Sequence, residues 1–164
     1  MDFSRLDRRR TLIGAIGSAL LLLSVMLLPW FSLTDVPERA EQNSWVCGVE
    51  DFSCTPWETF PILRWLLLLA AAAPAILGYI LIRGHKLSYP PGEMTMVAGF
   101  AATVLIAYNG IIDKPAPEDG IEFGTSLAWG YWVGLLAAIL IASIGFMRSL
   151  ESGARQGRKA PGTV

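Results

Sequence analysis

Four stretches of this chain contain no charged residue: 24 positions between Arg10 and Asp35, 18 between Arg64 and Arg83, 19 between Glu93 and Asp113, and 25 between Glu122 and Arg148. An α-helix rises about 1.5 Å per residue, so about 20 residues cross a hydrocarbon layer about 30 Å thick. Each run is close to or above that length. Lipid then replaces water around the middle of each segment, and the backbone must satisfy its own hydrogen bonds there, which requires helices. Charged residues make up 16% of the 164, against about 25% in an ordinary soluble domain. The runs use over half the chain, so no loop is left that could bury a separate core.

The charges alternate along the chain. Arg5, Arg8, Arg9, Arg10, Arg83, Lys86, Arg148, Arg155, Arg158 and Lys159 fall in the two termini and the middle connection, while the two remaining loops carry Arg39, Arg64 and Lys114. Cytoplasmic segments are enriched in Lys and Arg, so ten against three places both termini in the cytoplasm of a plasma-membrane protein, with four crossings. Residues 1–10 then form a cytoplasmic N-terminus and residues 11–147 a transmembrane domain with spans near 11–31, 61–82, 93–112 and 126–147. Residues 148–164 form a basic, disordered cytoplasmic tail. The basic segments read as topology signals beside anionic lipid, with no nucleic-acid partner, since no nucleic-acid motif accompanies them. The apolar run to Pro29-Trp30-Phe31 lacks a small-x-small cleavage site and reads as an uncleaved anchor. The expected fold is an all-α membrane protein, a four-transmembrane-helix bundle.

Small residues mark where helices can approach. Gly14, Gly17 and Ser18 lie near the inner end of the first span, and Ala70 to Ala73 precede Pro74, a kink site, in the second. In the fourth span Gly130, Gly134, Ala138 and Ala142 recur every four residues, a stripe suited to close packing within the chain or to a protein partner or second copy. Pro37, Gly48 and Pro56 punctuate the first outer loop, which reads as an irregular cap with a short helix near Pro56-Trp57-Glu58-Thr59.

Cys47 and Cys54 are the only cysteines and share that loop. In an oxidising compartment the pair is expected to form a disulfide that staples the cap. A redox-active pair is the alternative, but the spacing is Cys-x6-Cys rather than Cys-x-x-Cys, and no second pair could relay electrons. His85 lies across the membrane from the cysteines, so no metal site is expected. All six tryptophans, Trp30, Trp45, Trp57, Trp65, Trp129 and Trp132, fall in the outer loops or outer halves of spans. They read as an interfacial belt. Alternatively Trp57, Trp65, Trp129 and Trp132, with Arg64 for an anionic head group and Asn109 nearby, line an outer cleft for a lipid or quinone. Asn109 is otherwise expected to hydrogen-bond across helices, and Thr103 and Ser143 to bond carbonyls of their own helices. The spans carry no ionisable group near their centres, which argues against ion-coupled pumps and voltage sensors.

Leu28-Pro29-Trp30-Phe31, Pro56-Trp57-Glu58-Thr59-Phe60 and the run Gly130 to Leu136 together resemble small four-span membrane proteins of actinobacteria. That resemblance covers residues 11–147 and implies topology and a bacterial source, with no activity to carry over. Trp45-Val46-Cys47 and Cys54 also resemble the first outer loop of claudin-type proteins, but the loop is short for their outer sheet and their Gly-Leu-Trp element is missing. This is read as convergence on a stapled loop. With no phosphate loop, nucleophile elbow or paired carboxylates in view, no enzyme and no cofactor are expected. The sequence therefore reads as a non-enzymatic accessory or scaffold subunit meeting a partner through span four. The alternative is a lipid- or quinone-binding component of an envelope or transport machine.

Overall fold

The structure, a computed structural model, describes residues 8–34, 53–83, 91–114 and 124–156. Four long helices dominate: α1 (Arg8–Leu27), α3 (Leu63–Ile82), α4 (Pro91–Ala107) and α5 (Trp129–Gln156). A single-turn α2 (Pro56–Thr59) precedes α3, and three short strands, β1 (Phe31–Thr34), β2 (Ser53–Cys54) and β3 (Gly124–Leu127), lie between helices. The helices pack in a ring, α1 against α3 and α5, and α4 against α3 and α5.

Three helical segments are long and apolar enough to cross a membrane: Leu63–Ile80, Gly92–Ile112 and Trp129–Leu150. The apolar part of α1, Thr11–Leu27, is shorter. The outward surface of all four is oily. Leu12, Leu69, Phe100 and Leu136 are each more than 60% exposed, as are Val97 and Ile111. Water-soluble monomers rarely expose apolar area on this scale, whereas lipid accepts it without cost.

The first helix ends earlier than the expected 31. It stops at Leu27, because Pro29 disfavours helical backbone at Leu28 and the chain then runs into β1. The cap, expected to be partly irregular, carries strands where it is described: β1 pairs antiparallel with β2 (Phe31 opposite Cys54) and with β3 (Phe31 opposite Leu127), giving the order β2-β1-β3, while its residues 35–52 lie outside the described residues. Trp30 extends both ladders. Its N–H donates to the Cys54 carbonyl at 2.8 Å, and its carbonyl accepts from Ala128 N–H at 2.8 Å. The sheet thus ties the end of α1 to the starts of α2 and α5, and defines a capped end. The opposite end, where α1 and α4 begin and α3 and α5 finish, carries most of the basic sequence.

The short helix α2 forms as expected, with Pro56 at its first position. Thr55 N–H donates to Glu58 Oε2 at 3.3 Å, the Thr-x-x-Glu arrangement that satisfies a helix start. Helix α5 begins at Trp129 rather than at the expected 126, since Ser126 and Leu127 belong to β3, and it runs past Met147 to Gln156. The tail expected to be disordered from 148 is therefore helical through 156; residues 157–164 lie outside the described residues. At about 1.5 Å per residue α5 is roughly 42 Å long, more than a hydrocarbon core needs.

Helix α4 passes directly into a π-helical turn, Tyr108–Ile112, closed by Asp113 N–H on the Tyr108 carbonyl at 3.0 Å. Antiparallel packing of α4 on α5 is read from close approaches: Gly92 lies on Ser149, Gly99 on Ala142 and Gly110 on Tyr131, one number falling as the other rises. The core these helices enclose includes Leu21, Val25, Leu67, Ile106, Tyr131 and Ile141, none more than 1% exposed.

Candidate functional site

The span-four stripe, which suited packing within the chain or a partner, lies against the chain's own helices. A Cβ on Gly130 would collide with Leu28 and the Pro29 carbonyl, and one on Gly134 would lie 2.6 Å from Ser24 Oγ and 3.0 Å from the Trp30 ring. Ala138 is fully buried, and Ala142 is the residue against which Gly99 packs. The stripe gives close helix packing within one subunit, α5 on α1 and α4.

The proposed outer cleft does not assemble as one site. Arg64, Trp57 and Trp65 do meet at the start of α3. The Arg64 guanidinium stacks 4.9 Å from the Trp57 ring centre and 5.7 Å from that of Trp65, and its Nη1 donates to the Trp57 carbonyl at 3.0 Å. Trp129 and Trp132 lie instead on the exposed side of α5, where Trp132 contacts Tyr131 edge-on at 5.3 Å. Among the described residues no ring contact joins the two groups. Asn109 also departs from expectation: its Nδ2 donates to the Leu105 carbonyl of its own helix at 2.8 Å. An i−4 carbonyl was the nearer acceptor, and Thr103 and Ser143 use theirs as anticipated, on Gly99 and Ile139. Cys54 is buried on β2, while Cys47, Trp45 and His85 lie outside the described residues.

A different site appears between α1 and α3, toward the basic end. Small residues on both helices (Gly14, Ala15 and Ala19 facing Ala71, Ala75 and Gly78) leave a groove of about 460 Å³. Pro74 sits among them, 4.0 Å from where a Cβ on Gly14 would stand. Helix α3 continues through this proline, which has no N–H to offer the Ala70 carbonyl. Ile141, Ile144 and Thr95 form the groove's inner wall, and Leu22 closes its deep end. From Thr11 at the mouth to Leu22 is about 16 Å along the helix, roughly half a hydrocarbon core.

Of the polar side chains that line this largely apolar groove (Thr11, Ser18, Tyr79, Thr95 and Arg148), three give it a direction. At the mouth Arg148 Nη2 donates to Thr11 Oγ1 at 3.2 Å, holding a guanidinium beside the opening. Deeper in, Ser18 is 7% exposed, lines the groove, and its Oγ has no hydrogen-bond partner. This differs from Thr103, Asn109 and Ser143, which all turn back onto their own helices. A volume of this size falls within the 300–1,000 Å³ typical of small-molecule sites, which are mainly apolar with a few placed polar groups. The arrangement can accept a narrow apolar chain with an anionic or hydrogen-bonding end.

Sequence reasoning missed Thr11, Arg148 and the role of Ser18. The usable signal was two small-residue runs on neighbouring helices, Gly14-to-Ser18 and Ala70-to-Pro74, with a basic residue on a third helix at the same end. No known protein family, characterised protein or solved structure matches this chain.

Proposed function

We propose that this chain is a four-span protein of a bacterial plasma membrane, termini in the cytoplasm, that holds an amphiphile such as a lipid or quinone in the groove between α1 and α3. The observation that carries this reading is the pairing of a 460 Å³ apolar groove with a guanidinium at its mouth. Chain threading follows from the ten-to-three distribution of Lys and Arg, with the first crossing completed beyond the end of α1 by the non-helical Leu28 to Phe31 at the interface. The capped end then faces outward, where a Cys47–Cys54 bridge closes the loop that enters β2.

The lipid-binding reading displaces the scaffold reading because the surface expected to meet a partner is already covered by α1 and α4. A partner on α5 would instead meet its outward side, where Trp132, Leu136 and Ile139 are exposed. Mass spectrometry of the protein released from a mild detergent separates the two. A stoichiometric bound amphiphile is expected; a co-purifying polypeptide with no bound amphiphile would support the scaffold instead. Thiol labelling of single cysteines placed at Ala40 and Arg155 should find them in opposite compartments, and labelling from the same side would overturn the threading.

A further inference from the structure

Building on the amphiphile-binding reading, the geometry points to the ligand's class: we propose that the groove takes one acyl chain of an acidic glycerophospholipid from the leaflet at the basic end, its phosphate held by Arg148. Three observations converge. The groove is open along α1 and α3 where Ala15, Ala19 and Ala75 are exposed, so a chain enters sideways from the bilayer rather than from water. Its width is set by Gly14, Ala71 and Gly78, which leave room for a linear chain. Polarity is graded, with a fixed positive charge at the mouth, an unpartnered buried hydroxyl at Ser18 and only hydrocarbon beyond it.

Ser18 makes the case specific. A buried hydroxyl without a partner is destabilising, and this one lies roughly 10 Å deeper than Thr11, seven residues along α1. A ligand that brings an oxygen to that depth relieves the cost; a plain hydrocarbon does not. The acyl ester of a glycerophospholipid supplies such an oxygen on the chain side of the phosphate. The Arg148 guanidinium, whose Nη2 donates to Thr11 Oγ1, has the planar, permanently charged form that suits phosphate oxygens. The leaflet at this end is the one that carries anionic lipid under the proposed threading, so ligand and site share a surface.

The test uses the full chain in nanodiscs of phosphatidylcholine alone and of phosphatidylcholine with one-fifth phosphatidylglycerol, read by native mass spectrometry after transfer to detergent. The wild type is expected to retain one phosphatidylglycerol in preference to phosphatidylcholine. Arg148→Gln should lower that preference about tenfold, Arg148→Lys should restore part of it, and Ser18→Ala should lower retention about threefold without changing the preference. Ala75→Phe should block the groove and abolish retention of both lipids, while Lys114→Gln at the capped end should change nothing. Thermal melting of each variant shows whether it has folded, and Arg148→Lys carries the test if Ala75→Phe has not. Retention of both lipids equally, or an Arg148→Gln protein indistinguishable from wild type, overturns the acidic-lipid assignment and leaves the amphiphile reading standing. No retained lipid of any kind in wild type overturns both.

Discussion

The hydroxyl of Ser24 donates to the carbonyl of Gly130 at 2.8 Å, joining residues 106 apart in the chain. The same oxygen accepts the indole N–H of Trp30 at 2.8 Å. Both side chains are fully buried. Gly130 lies in the first turn of α5, so its carbonyl is held by α1 as well as by its own helix. Gly134 lies one turn further on, and the absence of a side chain there lets Ser24 and the Trp30 ring settle against α5. One hydroxyl therefore fixes three things together: where α1 ends, where α5 begins and how the tryptophan enters the sheet.

Removing that hydroxyl should cost more than removing either bond alone. Ser24→Ala strands a buried indole N–H and takes a donor from the Gly130 carbonyl. About 1–3 kcal/mol is expected from soluble proteins, toward the lower figure in lipid, where the unfolded chain also finds partners. Trp30→Phe removes one donor and leaves Ser24 on Gly130, so its hydrogen-bond cost should be smaller, although lost ring contacts add to it. In a double-mutant cycle read by melting in detergent, the combined loss should fall short of the sum. Strict additivity would mean that the two bonds do not act as a unit.

The π-helical turn has a steric reason that a second pair of substitutions can expose. A Cβ on Gly110 would lie within the Tyr131 ring, which is fully buried and edge-on to Trp30 at 5.7 Å. Widening the helix at 108–112 lets α4 pass this ring without a side chain between them. Gly110→Ala should therefore destabilise by about 1–3 kcal/mol through overpacking. In a Tyr131→Leu background, where the ring is gone, the same substitution should cost much less. An equal penalty in both backgrounds would place the strain elsewhere.

Gly134→Leu distinguishes packing within the chain from packing between chains. Because Ser24 Oγ would stand 2.6 Å from even a first side-chain carbon, this variant should lose the folded monomer itself, seen as a lowered melting temperature and poor recovery from the membrane. Leu136→Ala, on the exposed side of the same helix, should melt near the wild type. Were Gly134→Leu to fold normally and lose only a bound polypeptide, the inward assignment of the stripe would be wrong.

Much of this architecture was legible because lipid imposes a simple rule. Charge-free runs between Arg64 and Arg83, Glu93 and Asp113, and Glu122 and Arg148 lie on α3, α4 with its π-helical turn, and α5. Pro56-Trp57-Glu58-Thr59 announced α2, since a proline at a helix start is a local signal. The sheet was not legible: β1, β2 and β3 hold four, two and four residues, too few to display alternation, and their pairing joins positions nearly a hundred apart. Pro29 did carry the early end of α1, but a charge-free run of 24 residues outweighed it. Small-residue spacing showed that α5 packs closely without showing against what. The groove was hidden for a related reason: neither Gly14 to Ser18 nor Ala70 to Pro74 is a site alone, and only their apposition, with Arg148 from α5, makes one.

The cap offers the last check, on the bridge proposed between Cys47 and Cys54. Cys54 is 1% exposed, directly opposite Phe31 in the ladder, and its carbonyl takes the Trp30 N–H. Any constraint on Cys54 therefore acts on the strand that holds α1 to α5. Closing a loop of about eight residues removes unfolded-chain entropy worth roughly 2.5 kcal/mol in the simple loop model. Protein prepared from membranes without reductant should show no thiol reactive to maleimide after denaturation, and two after reduction. Cys47→Ser should lower the melting temperature about as far as reduction does, and reduction should then have no further effect on that variant. Two reactive thiols in the unreduced, denatured protein would exclude the bridge and leave β2 held by its ladder bonds alone.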